Sequence, residues 1–226
     1  MKKEISAAWY ILIIFAFFPA GCNKEENQPE TLTDIEENIY KTIKIGDQVW
    51  MAENLRTTRL NDGTAVPLLT DANEWAGNSS AGYCWYNNDM AAYMDKYGAL
   101  YNGYTIMEGK LCPSGWHVPD KQEWRELREF LGDSVKGGGK LKEAGTTNWL
   151  SPNKGADNSS GFTAFGAGIR YFEGTFSSVL SYTAIWSASG SASNDLWYTS
   201  LYFADAAFNM DHRNKKHGFS VRCLKD

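Results

Sequence analysis

Beyond residue 40, strand and turn patterns dominate the chain. Thr42-Ile43-Lys44-Ile45 and Gln48-Val49-Trp50-Met51 flank Gly46-Asp47, the pattern of a tight hairpin. Asn61-Asp62-Gly63 marks a second turn, Asp71 to Gly82 is polar and loop-like, and Asp89 to Lys96 fits a short helix. The strongest helix signal follows Val118-Pro119: Asp120 caps and Glu123 completes a capping box. Trp124, Leu127 and Leu131 then recur at helical spacing with Phe130 beside them, and Gly132 ends the run. Residues 135–145 hold a glycine run and at most one helical turn. The last third alternates as strands: 168–172, 184–188, 197–203 and 219–224. In the third of these, Trp197, Thr199, Leu201 and Phe203 share one face, so Tyr198 and Tyr202 are expected to point outward. Asn214 to Gly218 is a turn into the final strand. The sum is an α+β domain.

The amino-terminal pattern is of another kind. Lys2 and Lys3 precede Ala7 to Phe18, an uncharged, mostly apolar run of 12 residues. As a helix it is roughly 18 Å long, against a hydrocarbon core of about 30 Å, too short to span comfortably. It has the form of a secretion signal. Ala20-Gly21-Cys22 at its end resembles the processing site of a bacterial lipoprotein. That likeness implies removal of residues 1–21, fatty acylation (palmitate) of Cys22 and a membrane partner through the lipid anchor. Asn23-Lys24-Glu25-Glu26 is similar to the signal that sends Bacteroidetes lipoproteins to the outer membrane, facing the cell exterior. Residues 22–39 carry six acids and one base and are expected to be a disordered tether.

Charge then narrows the partners. The whole chain has 22 Lys and Arg against 27 Asp and Glu, but the imbalance lies in the tether. Residues 40–226, one domain by length, hold 19 bases and 20 acids. Such a domain has no basic field to attract nucleic acid. Three cysteines lie in it, Cys84, Cys112 and Cys223, without the spacing of a zinc site. In an exported protein one bridge and one odd thiol are expected. Cys112–Cys223 is favoured, closing a loop of about 110 residues worth up to roughly 4–5 kcal/mol; Cys84–Cys112 is the rival.

Several blocks carry a family resemblance: Val49-Trp50-Met51-Ala52-Glu53-Asn54-Leu55, Trp85-Tyr86-Asn87-Asn88-Asp89, Gly98-Ala99-Leu100-Tyr101-Asn102, Cys112-Pro113-Ser114-Gly115-Trp116-His117-Val118-Pro119, Asn158-Ser159-Ser160-Gly161-Phe162-Thr163-Ala164 and Gly218-Phe219-Ser220-Val221-Arg222-Cys223. In this order they resemble the Fibrobacter succinogenes major paralogous domain, over about residues 42–226. Gly103 departs from it, standing where an aromatic is common. The family's members are secreted and lipid-anchored proteins of largely undefined role. More distantly, Trp116 to Trp124, Ile185-Trp186-Ser187-Ala188 and Gly218 to Arg222 are similar to segments of formylglycine-generating enzymes. That likeness implies a C-type-lectin-like fold, a mixed sheet with one or two helices and long irregular loops. A bridge from the first helix's start to the last strand also looks like lectin-type domains. Fold likeness does not establish function.

Candidate chemistry is sparse. His117, between Trp116 and Val118, is expected to be a buried structural histidine, and His212 and His217 exposed turn residues. Formylglycine-generating catalysis needs a thiol pair near the end of the fold, where only Cys223 stands. No Gly-x-Ser-x-Gly, Walker loop or His-Glu-x-x-His motif is present. Asp157-Asn158 and Asn194-Asp195 are the oxygen ligands open to calcium, although turn chemistry accounts for both. No other metal or cofactor is expected. An aromatic platform of Trp197, Tyr198 and Tyr202 with Asn194 and Asp195 nearby fits a glycan or protein ligand. The sequence therefore points to a non-catalytic, surface-exposed binding domain. The alternatives are a divergent enzyme of the formylglycine-generating type and a structural or adhesive subunit.

Overall fold

A computed structural model describes residues 30–191 and 194–226. The leader, Cys22 and the first part of the tether lie outside the described residues. In chain order the first strands are β1 (Thr31–Thr33), β2 (Ile39–Ile45) and β3 (Gln48–Met51), then helix α1 (Ala72–Gly77) and β4 (Tyr83–Cys84). Helix α2 (Met90–Tyr97), β5 (Leu100–Asn102), α3 (Gly103–Met107), β6 (Trp116–His117), α4 (Lys121–Phe130) and α5 (Gly137–Leu141) follow. The remainder is β7 (Ala167–Arg170), β8 (Phe176–Val179), β9 (Tyr182–Gly190), β10 (Asp195–Tyr202), β11 (Asn209–Asn214), β12 (Gly218–Phe219) and β13 (Leu224–Lys225). The architecture is α+β, as the sequence patterns predict.

Two sheets carry it. One has the order β1-β2-β3-β13-β6; the other runs β11-β10-β9-β7-β12-β5-β4, with β8 beside β7. The β7–β9 pair is parallel and the other strand pairs are antiparallel. The Gly46-Asp47 hairpin forms in the expected register, Thr42 opposite Met51 and Ile45 opposite Gln48. The expected strand at 219–224 is instead divided: β12 pairs with the larger sheet and β13 with the smaller one. The last residues thus join both sheets.

Strands β9 and β10 separate two cores. Ala184, Trp186, Leu196 and Tyr198 face one cluster with Tyr101, Phe219 and Val221. Ile185 and Leu201 face the other, with Trp50, Trp124, Leu127, Leu131, Trp149 and Phe208. Helix α4 supplies Trp124 and Leu127 to this second core, and its capping box forms as predicted, with Asp120 Oδ1 accepting from Glu123 N and Glu123 Oε2 from Asp120 N. Phe130 is 64% exposed rather than part of that face. Its ring lies over Gly46, where a Cβ would meet it at 2.9 Å.

Two expectations are corrected. Residues 30–39 are not a disordered tether: β1 pairs with β2, and Asp34 is buried. The acids that read as solvated charge are hydrogen-bond acceptors. Asp34 accepts from Tyr40 Oη at 2.6 Å, and Glu36 from the backbone and hydroxyl of Thr58 and the hydroxyl of Thr57. The polar stretch 71–82 contains α1, whose N-cap Asp71 accepts from Asn73 N and Glu74 N while Trp75 is buried. The short helical turn expected in the glycine run forms as α5, and its residues must be glycine because other backbone crosses it closely: a Cβ on Gly138 would fall 2.0 Å from Ala207 O, and one on Gly139 2.1 Å from Gly155 O.

Three fully buried cations, which no sequence pattern signals, tie the irregular loops together. Lys142 Nζ donates to the carbonyls of Lys154, Tyr202 and Asp205. Arg170 donates to those of Leu69, Thr70, Asp71 and Gly174, with Trp75 and Phe176 against its guanidinium. Arg222 donates to Phe162 O, Thr163 O and Asn54 Oδ1. Burial draws Lys142 down to about 8 and Arg222 to about 9. The carbonyl oxygens around each cation offset that loss of hydration.

Candidate functional site

The five residues proposed for ligand contact do not converge. Asp195 and Trp197 lie on one face of β10, where Asp195 Oδ2 is 2.9 Å from His212 Nδ1 and the Trp197 ring packs edge-on to His212. Lys121 Nζ sits 3.3 Å over the Trp197 ring, a cation–π contact that covers this face of the indole. Asn194 is exposed in the turn before β10, its carbonyl accepting from Lys215 N. Tyr198 and Tyr202 lie on the opposite face. Tyr198 does not point to solvent: it is 5% exposed, because both faces of β10 are covered by core. Tyr202, nearer the strand's end, is 39% exposed.

These two tyrosines line a cleft of about 200 Å³ where the first core reaches the surface. Ile169 of β7, Ser178 of β8, Tyr182 of β9, Arg213 of β11 and Phe219 of β12 complete it, with Tyr171 and His217 from loops. The register explains the gathering: Tyr202 is opposite Tyr182, and Tyr198 opposite Asp211, so Arg213 sits diagonally from Tyr198 on the same face. The Gly218 hinge into β12 carries His217 under the rings of Tyr171 and Phe172.

The polar groups of the cleft are largely unengaged. His217 was expected to be an exposed turn residue; it is 7% exposed, roofed by aromatic rings from a loop 45 positions away in sequence. Its Nδ1 lies 3.0 Å from Asn214 O. A carbonyl only accepts, so Nδ1 carries the proton and Nε2 presents a lone pair. Burial lowers the His217 pKa, with the Arg213 charge acting in the same direction, so the ring is neutral at neutral pH. Arg213 donates no hydrogen bond among the described residues; its nearest carboxylate, Asp211 Oδ2, is 3.6 Å away. Tyr198 is raised well above the ordinary phenol range by burial and by the neighbouring Tyr182 hydroxyl. The cleft therefore offers aromatic faces, hydroxyls, one guanidinium and one acceptor nitrogen.

Elsewhere most polar groups are occupied, although Trp124 Nε1, Asn153 Oδ1, Thr183 Oγ1 and Thr199 Oγ1 are buried without a partner among the described residues. A second cavity, of about 250 Å³, is lined by Lys41, Glu53, Asn54, Asp95, Lys96 and Arg222 among others. Its buried polar atoms serve the fold: Glu53 accepts from Lys41 N, Asn54 donates to Tyr97 O, and Arg222 is held by carbonyls. His117 is not a buried histidine. It is partly exposed between Glu123 Oε1 at 2.8 Å and Asp226 Oδ1 at 2.6 Å. Burial works against its protonation, but the two carboxylates raise its pKa overall. Cys112 and Cys223 form a disulfide with Cα atoms 5.9 Å apart. Cys84 is free and buried, which rules out the rival pairing, and burial pushes its thiol up to about 12. Among the described residues no three His, Cys, Asp or Glu side chains gather as a metal site. Asp157 and Asn158 are engaged with Ser159 N and Thr163 N, as turn chemistry predicts.

The family model of the Fibrobacter succinogenes major domain matches residues 43–225. No curated protein and no solved structure matches the chain.

Proposed function

The chain belongs to the Fibrobacter succinogenes major domain family, and from that premise we propose that it is a lipid-anchored, surface-exposed, non-catalytic domain that holds a glycan or protein ligand in the Tyr198–Tyr202 cleft. The observation that carries the proposal is the cleft itself: aromatic walls around an arginine whose pairing with Asp211, at 3.6 Å, includes no hydrogen bond, and a histidine nitrogen without a partner among the described residues. Such a mixture of apolar faces and a few placed polar groups is the usual make-up of a ligand site.

The thiols support a binding role over turnover. A reactive cysteine is a partly exposed thiolate in an electropositive setting. Cys223 is bonded to Cys112, and Cys84 is buried with a raised pKa. The C-type-lectin-like kinship is part of the same proposal. It is supported by a bridge that ties the segment before α4 to the end of the chain.

Detergent-solubilised full chain on a glycan and peptide array tests the site. Binding that falls at least tenfold in Tyr202→Ala, with the thermal midpoint unchanged, is the expected result. Undiminished binding would place the ligand elsewhere. The anchor is tested by Cys22→Ala, which is expected to move the protein out of the membrane fraction; unchanged partitioning refutes acylation.

A further inference from the structure

Resting on that reading of the cleft, we propose that its ligand is an acidic sugar, a hexuronic acid unit within a polysaccharide. Two polar groups of opposite demand face the same space. Arg213, with its side chain 52% exposed, is ion-paired with Asp211 at 3.6 Å but donates no hydrogen bond among the described residues, so its fork is open to an acceptor. A planar guanidinium is matched by a carboxylate, which can accept two parallel N–H bonds. His217 is nine-tenths buried, neutral, and presents the Nε2 lone pair, which has no partner among the described residues. That nitrogen can accept from a donor on a ligand in the cleft.

A ligand satisfying both must carry an anion and a hydrogen-bond donor within one small unit. A fully ionised phosphate or sulfate supplies acceptors only, and would leave His217 unsatisfied. A neutral sugar supplies hydroxyls but no carboxylate to fill the arginine fork. A sugar acid supplies both on one ring. The exposed rings of Tyr171 and Tyr202 at the mouth suit the C–H face of a pyranose, and their hydroxyls reach its rim. A peptide carboxyl terminus also supplies acceptors for the arginine and, in its last backbone N–H, a donor, but it lacks the flat C–H face that the rings of Tyr171 and Tyr202 match. The acids near the cleft, Asp211 and Glu173, oppose an anion. They hold the expected affinity to the modest range in which removing the Arg213 charge is decisive.

The test uses the full chain in detergent, titrated calorimetrically with trimers of galacturonate, glucuronate and mannuronate and with their methyl esters. The esters keep the ring and lose only the charge. At least one acid is expected to bind tenfold or more tightly than its ester. Arg213→Gln is expected to abolish that difference without weakening the ester, and His217→Phe to weaken acid and ester alike. Thermal midpoints for both variants guard against misfolding. Equal binding of acid and ester would overturn the acidic-sugar inference and leave the glycan cleft standing. Binding of none of the acids would also overturn it. Tight binding of carboxyl-terminal peptides in their place would assign the cleft to protein ligands. Silence from sugars and peptides together would bring down the cleft as a binding site.

Discussion

At the scale of single residues, the molecule places charge where it is ordinarily costly and satisfies it with main-chain oxygen. Lys142 is the clearest case: its three ammonium protons meet three carbonyls from two loops. Lys142→Met keeps much of the volume and strands those acceptors, so a loss of roughly 3 kcal/mol is expected, read by urea unfolding. His117 is held differently, between two carboxylates on a partly exposed surface. Its folded pKa is raised above the ordinary histidine value of about 6.5. Its stabilising contribution is therefore complete below about 6.5 and fades as pH rises through the folded pKa. Solvent screening keeps that contribution small. The stability gap between wild type and His117→Gln should narrow from pH 6 to pH 8 in parallel melts; a gap that widens refutes the clasp. None of this was legible in the sequence. Residue type does not disclose whether a lysine is solvated or walled in, and His217 sat in a true turn signature while distant rings decided its burial.

Elements were legible where their signals are local. The hairpin at Gly46-Asp47 and the capping box at Asp120 and Glu123 depend on neighbours in sequence, and both formed in place. Asp120→Ala should cost about 1 kcal/mol, measurable as a lowered thermal midpoint with native spectra retained. Tertiary demands obscured the rest. Asp71 caps α1, yet the helix is one and a half turns long and is fixed by Trp75, whose Nε1 donates to Lys216 O on the far side of the chain. The glycine run of α5 must be glycine because backbone at 155 and 206–207 crosses it. Gly138→Ala, which stabilises an open helix, is expected here to destabilise, since its methyl meets Ala207 O. A rise in melting temperature would show that the crossing is looser than described. The alternation along β10 correctly divided its residues between two faces. It could not show that both faces are covered, which is why Tyr198 lines the cleft floor and Trp197 lies under Lys121.

At the scale of the whole molecule, the fold class, the bridge and the family were readable because many separated blocks agreed. The cleft was not, because it gathers β7 through β12 and two loops at one place. The Cys112–Cys223 bridge closes a separation of 111 positions. Replacing both cysteines with serine should lower stability by up to about 4–5 kcal/mol under oxidising conditions, and reductant should erase most of the difference. The same long reach has a consequence for how the domain is made. Residues 218–225 contribute a strand to each sheet, the arginine that fastens the 158–165 loop, and half of the bridge. A growing chain lacking only this short tail would have two unclosed halves and no clamp between them. Folding must therefore wait until residues 218–225 have been made, leaving aromatics exposed to chaperones until then.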